Sequence, residues 1–128
     1  MAEHNEIGKI GERIAKTFLM KHGFSVLETN YRTRLGEIDI IAKKDDVLRF
    51  VEVKSVKVRD FESYQNQPIQ PEDNLTGSKY KKIVASLETY LFQKHIPEES
   101  RYQIDLACVY VDTEKRAGMV KFLENVQR

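Results

Sequence analysis

Two apolar runs, Ile38–Ala42 and Val47–Val53, are joined by four polar residues, Lys43–Asp46. Short runs of this composition on either side of a polar link predict a β-hairpin, and their near-continuous apolarity predicts strands covered on both faces. Each run nevertheless carries an acid where burial should forbid it. Asp39 lies in the first run and Glu52 in the second, with Lys54 just beyond. If Asp45 and Asp46 form a two-residue loop, Lys44 pairs with Val47 and Asp39 falls opposite Glu52. A four-residue loop shifts the partner by two but keeps both acids on one face. Only an odd loop or a bulge separates them. Glu37 and Lys54 share that face under either register, so two or three carboxylates and one ammonium are expected at one end of a sheet.

The rest of the chain supplies a frame for this hairpin. At 128 residues, one domain with a single sizeable core is expected. Ile7, Ile10, Ile14, Phe18 and Leu19 recur at helical spacing, and Gly23 marks a helix end near His22. Phe24–Tyr31 reads as a first strand, followed by the basic turn Arg32–Gly36. Ser55–Gly77 is polar, contains Pro68 and Pro71, and reads as a long functional loop. Tyr80, Ile83, Val84, Leu87 and Leu91 predict a second helix with Ser78 as its cap. Arg101–Asp112 and Met119–Val126 complete the series as strands. The strand–helix–strand unit from Val47 to Val111 should form a right-handed parallel crossover, giving a mixed sheet with flanking helices, an α/β fold.

Other chemistries find little support. Cys108 is the sole cysteine and lies mid-strand, which excludes a disulfide framework and a thiolate metal cluster. The histidines are far apart, and His22 and His95 are placed to meet helix-terminal carbonyls. No glycine-rich phosphate loop occurs. The N-terminus lacks an apolar signal region and no stretch suits a bilayer span, so a cytoplasmic protein without membrane contact is expected.

Like charges opposed in a sheet are destabilising, and a raised pKa or a bound cation relieves them. Oxygen ligands on a rigid hairpin suit Mg²⁺ or Mn²⁺. Carboxylates, such an ion and a lysine are a kit for phosphodiester hydrolysis. The plain alternative is that Glu52 and Lys54 form an ordinary Glu-x-Lys strand pair. Glu12 flanks the apolar stripe of the first helix as a boundary residue would. Asp105, between Ile104 and Leu106, reads either as a support for the acids or as a strand-entry acid.

The segments GEIDIIA (36–42) and FVEVK (50–54) together resemble the core of the PD-(D/E)xK nuclease superfamily. The wider pattern resembles its YraN branch of predicted endonucleases, with a fold like that of restriction endonucleases and Holliday-junction resolvases. That pattern adds GKIGERIAKTFL from Gly8, NYR at Asn30–Arg32, LTGSKYKKI from Leu75 and the late strand with Asp105. Ile38 stands where the superfamily name has proline. The resemblance implies that Asp39, Glu52 and the Val53 carbonyl hold Mg²⁺, that Lys54 is the catalytic lysine, and that Glu12 completes the site. Glu37 and Asp105 become supporting candidates.

A net charge of +1 says nothing about partners, so binding to DNA must rest on local charge. Arg32 and Arg34 precede the first acid run, Lys57 and Arg59 follow the second, and Lys79, Lys81 and Lys82 open the second helix. Cations in a helix's first turn oppose its dipole, which a phosphate ligand would explain. Three readings follow: a Mg²⁺-dependent endonuclease acting on branched or linear DNA, a DNA-structure-binding module with little or no catalysis, or a structural domain whose acids are paired to Lys or Arg. By analogy alone, resolvase-like folds leave room for a homodimer.

Overall fold

The computed structural model describes residues 2–59 and 75–126, with side chains from Glu6 onward. Its elements are α1 (Ala2–Lys21), β1 (Ser25–Arg32), β2 (Glu37–Lys44), β3 (Val47–Lys57), α2 (Gly77–Gln93), β4 (Tyr102–Asp112) and β5 (Ala117–Leu123). The strands form a five-stranded sheet in the order β1-β2-β3-β4-β5. All neighbours are antiparallel except β3 and β4, which run parallel, as the expected crossover requires. The result is a mixed α/β architecture. The expected loop Ser55–Gly77 is shorter than the sequence suggests, because β3 continues to Lys57, and Val58 N still donates to Val111 O at 2.9 Å. Its central part, 60–74, lies outside the described residues.

The two helices cover opposite faces of the sheet. Ile7, Ala15 and Leu19 of α1 pack against Ile40, Val51 and Val109. Ile83, Leu87 and Tyr90 of α2 pack against Ile38, Phe50 and Ile104 on the other side. This double cover is why β3 and β4 are apolar along nearly their whole length, and why Cys108 is a buried core residue. α1 closes with Gly23 at φ 86 and Phe24 N donating back to Leu19 O at 3.0 Å, a left-handed helix stop. His22 Nδ1 meets Phe18 O at 2.8 Å, the terminal-carbonyl contact expected of it. The cap of α2 is Thr76, not Ser78. Thr76 has extended backbone, and its hydroxyl accepts from Lys79 N at 3.2 Å, so Ser78 already lies inside the helix.

Two close approaches fix where the helices lie relative to the hairpin. At Gly11 a Cβ would fall 1.7 Å from Ser55 Oγ and 2.7 Å from Ser55 Cβ, so only glycine lets α1 reach β3 there. At the other helix, Thr33 Oγ1 accepts from Leu35 N and Gly36 N, both at 3.1 Å, and meets the buried Ser86 Oγ at 3.0 Å. That pin holds the β1–β2 turn against α2.

Gly11→Ala should therefore destabilise the protein by about 1–3 kcal/mol, although alanine is the better helix former. Ser55→Gly in the same chain should recover most of the loss. Urea midpoints of the three variants check this, and an undiminished midpoint for Gly11→Ala alone would contradict the close approach.

Candidate active site

The hairpin link is the two-residue loop. Asp45 and Asp46 both take positive φ (52 and 62), as a type I′ turn demands, and Lys44 pairs with Val47. Continuing the register places Asp39 beside Glu52. The ladder itself stops at Ile40–Val51. Beyond that point Val53 N donates to Asp39 Oδ2 at 2.7 Å, a charge-assisted bond in place of a backbone one. Strict alternation also fails here. Ile38 and Ile41 both pack under α2, while Ile40 and Ala42 face α1. Asn30, which the β1–β2 register puts opposite Asp39, has φ 51, so the backbone turns at that spot in both strands' neighbourhood.

Around Asp39 the structure brings together Glu12, Asn30, Glu37, Lys54 and Lys79, which line a cavity of about 470 Å³. Glu12 arrives from α1 directly after Gly11, so the close helix–strand contact is also what delivers this acid. With its amide nitrogen turned toward the acids, Asn30 donates to Glu12 Oε1 at 2.8 Å and to Glu37 Oε1 at 3.1 Å. The Glu12 carboxyl is raised above its ordinary value by burial, then by the charges of Asp39 and Glu37. Asn30 is a site residue that residue chemistry alone did not flag; its signal was only its place in the NYR segment.

Glu52 is buried, 9% exposed, and touches both Asp39 and Lys79. Burial, followed by the charge and hydrogen bond of Asp39, pushes its carboxyl from 4.5 up to about 8. Lys79 Nζ stands 3.4 Å from Glu52 Oε1 and opposes that rise without cancelling it. Glu52 therefore favours its protonated form near neutrality.

The predicted cations are placed unevenly. Lys79 pairs with Glu52, because its position in the first turn of α2 overhangs the acid pair. Arg32 reaches Glu37 at 3.8 Å across an exposed surface. Arg34 and Lys82 are exposed near the β1–β2 turn, and Lys57 is exposed at the end of β3. Asp105 does not join the acid cluster. It is fully buried and accepts from Arg49 Nη1 at 3.1 Å, Gln103 Nε2 at 2.8 Å and Asn125 N at 2.8 Å, and Arg49 also bonds Glu124 at 2.8 Å. A buried arginine inside β3 consumes that acid, which its spacing from Asp39 could not reveal.

A model of the uncharacterised protein family UPF0102 matches residues 11–109 of the chain. The chain belongs to the UPF0102 family. A UPF0102 protein of Campylobacter lari is 42% identical over 116 residues, which are 91% of this chain and 88% of that protein. One from Flavobacterium psychrophilum is 37% identical over 115 residues, 90% and 89% of the two chains. The matched UPF0102 span contains Glu12, Asp39, Glu52, Lys54 and Lys79.

Among the described residues, no three Asp, Glu, His or Cys side chains form a ready-made metal cage. A hard cation does not need one, since Mg²⁺ is commonly held by one or two carboxylates and completes its shell with water. The donor set is of the kind such an ion takes: carboxylate oxygens on paired strands.

Because the folded state favours protonated Glu52, its contribution to stability is full below 4.5 and is lost as pH rises through about 8. The metal-free protein should thus lose on the order of a few kcal/mol between pH 5 and pH 8 from this group. Glu52→Gln should flatten that slope, and Mg²⁺, which prefers the ionised acids, should stabilise the parent more at pH 8 than at pH 5. Denaturant titrations across pH with EDTA or Mg²⁺ measure both effects. A parent that grows steadily more stable from pH 5 to pH 8 in EDTA would contradict the raised Glu52 carboxyl.

Proposed function

We propose that this UPF0102 protein is a metal-dependent nuclease of the PD-(D/E)xK type, in the YraN branch, acting on the phosphodiester backbone of DNA. The observation that carries the reading is the Asp39–Glu52 pair, two acids in contact within a sheet covered on both faces, one of them raised well above the usual carboxylate range. Acids in such a place cost stability, and a cation together with a polyanionic substrate accounts for their presence.

In this mechanism Asp39, Glu52 and the Val53 carbonyl would hold Mg²⁺ or Mn²⁺. When bound, such an ion supplies Lewis acidity at a phosphoryl oxygen and lowers the pKa of water. Lys54, which lines the cavity beside Asp39, hydrogen-bonds the attacking water or neutralises charge developing on the phosphoryl group. The water attacks phosphorus in line, and the P–O bond on the far side breaks. Glu12, whose carboxyl is raised by burial and by the charges of Asp39 and Glu37, stands close to the reacting centre and is fixed in place by Asn30. Lys79 stands in the first turn of α2, so exchanging Glu52 for a phosphate would seat substrate at the helix N-terminus.

The Lys79–Glu52 contact is the observation that favours a second, non-catalytic reading, in which the fold binds DNA structure and the acids are internally paired. Cleavage assays on branched and linear DNA with Mg²⁺, Mn²⁺ or EDTA separate the two. Asp39→Asn and Glu52→Gln should each cut turnover by on the order of 10²-fold or more while DNA affinity in EDTA persists. Lys54→Ala should lose about 10²–10³-fold. Full cleavage by the Asp39 or Glu52 variant would eliminate this site, and absence of cleavage in every parent reaction would leave the binding module.

A further inference from the structure

On α1, Lys9, Arg13 and Lys16 recur at i, i+4 and i+7 and are exposed. This spacing places them on one crest of the helix. Among the described residues none of the three forms an ion pair, although Glu6 lies on the same side one turn earlier. All three also line a cavity of about 270 Å³ together with Glu12, Asn30 and Asp39. Three unpaired like charges within two turns cost helix stability. Their nearest acids do not bond them, so counter-charge within the protein does not explain the crest.

The crest continues away from the acids. Arg13 also borders a second groove of about 460 Å³, whose rim carries Lys21 and Arg116 above an apolar floor that includes Ile14 and Phe18. From Lys9 to Lys21 the helix advances about 18 Å, roughly five phosphate steps of one strand along a B-form axis. In the opposite direction, Lys9 shares the larger acidic cavity with Lys79 at the start of α2. Asp39 therefore lies between two cationic banks, one on each helix, with Lys9 common to both cavities.

We propose that the α1 crest Lys9–Arg13–Lys16, extended by Lys21 and Arg116, is a binding track for one sugar–phosphate strand that carries a nucleic acid into the carboxylate cavity. This rests on reading that cavity as the phosphodiester site. The named contacts of the track are point charges, which grip the backbone whatever the base sequence.

The test is binding in EDTA, where no turnover intrudes, of labelled single-stranded DNA, duplex DNA and single-stranded RNA between 50 and 200 mM salt. The parent is compared with a Lys9→Gln/Arg13→Gln/Lys16→Gln variant and with a Lys43→Gln control at the hairpin end of β2. Thermal melts should show all three folded, because the substituted side chains are exposed. The expected result is that the triple variant binds about 10-fold or more weakly, with a log–log salt slope shallower by about two, equally across base sequences. The control should match the parent. An unchanged slope and affinity in the triple variant would overturn the track, as would a parent that binds anionic phospholipid vesicles but no oligonucleotide. Cleavage of DNA by an unaffected triple variant sinks the track and spares the nuclease, whereas weakened binding without any cleavage keeps the track and sinks the nuclease.

Discussion

A single hydrogen bond organises the candidate site: Val53 N to Asp39 Oδ2, at 2.7 Å. An amide in a buried sheet must find an acceptor, and here a side-chain carboxylate supplies it just after the β2–β3 ladder ends. The bond fixes Asp39 against β3 and sets it beside Glu52. It also lets β2 part from β3, which makes room for Glu12, Asn30 and Lys54 around one opening. Every later feature of the site depends on that local exchange of a backbone partner for an ionisable one.

Helix placement follows from packing that tolerates almost no variation. α1 can reach β3 only because residue 11 is glycine, and its next residue is Glu12. α2 is held against the β1–β2 turn through Ser86 and Thr33, which directs its first turn, with Lys79, over Glu52. The same two contacts that complete the core on either face of the sheet therefore deliver one acid and one cation to the hairpin. Core and site are built from one set of constraints.

The electrostatics run in two opposed arrangements a few residues apart on β3. Arg49 is buried and its Nη1 is paired with both Asp105 and Glu124 at one end. Glu52 is equally buried, but Asp39 beside it adds charge of the same sign, and Lys79 offsets only part of it. The first arrangement holds strands together, whereas the second sets two acids side by side at the wall of a cavity that Asp39 lines. Perturbed acids beside a cleft are a mark of functional sites, and the contrast between Arg49 and Glu52 shows at which end of β3 a perturbed acid lies.

Much of this was legible in the sequence because it depends on local spacing. The element order, the parallel crossover and the stop at Gly23 follow from periodicity and turn chemistry read over a few residues, whereas the hairpin link was narrowed only to an even loop of two or four residues and the structure decides for two. Period-two counting then aims Asp39 at Glu52, although the β2–β3 ladder itself ends at Ile40–Val51 and the Val53 N–Asp39 bond completes the approach. What the sequence by itself could not decide is everything that depends on a third element. The break in alternation at Asp39, the use of Asn30 between Glu12 and Glu37, the commitment of Asp105 to Arg49 and the turn of Lys79 onto Glu52 each need residues far apart in the chain. Sequence spacing sets which side chains share a strand or a helix face. Only the packed structure decides which of them are desolvated and what charge they meet, and those two quantities determine whether an acid is a strut or a site.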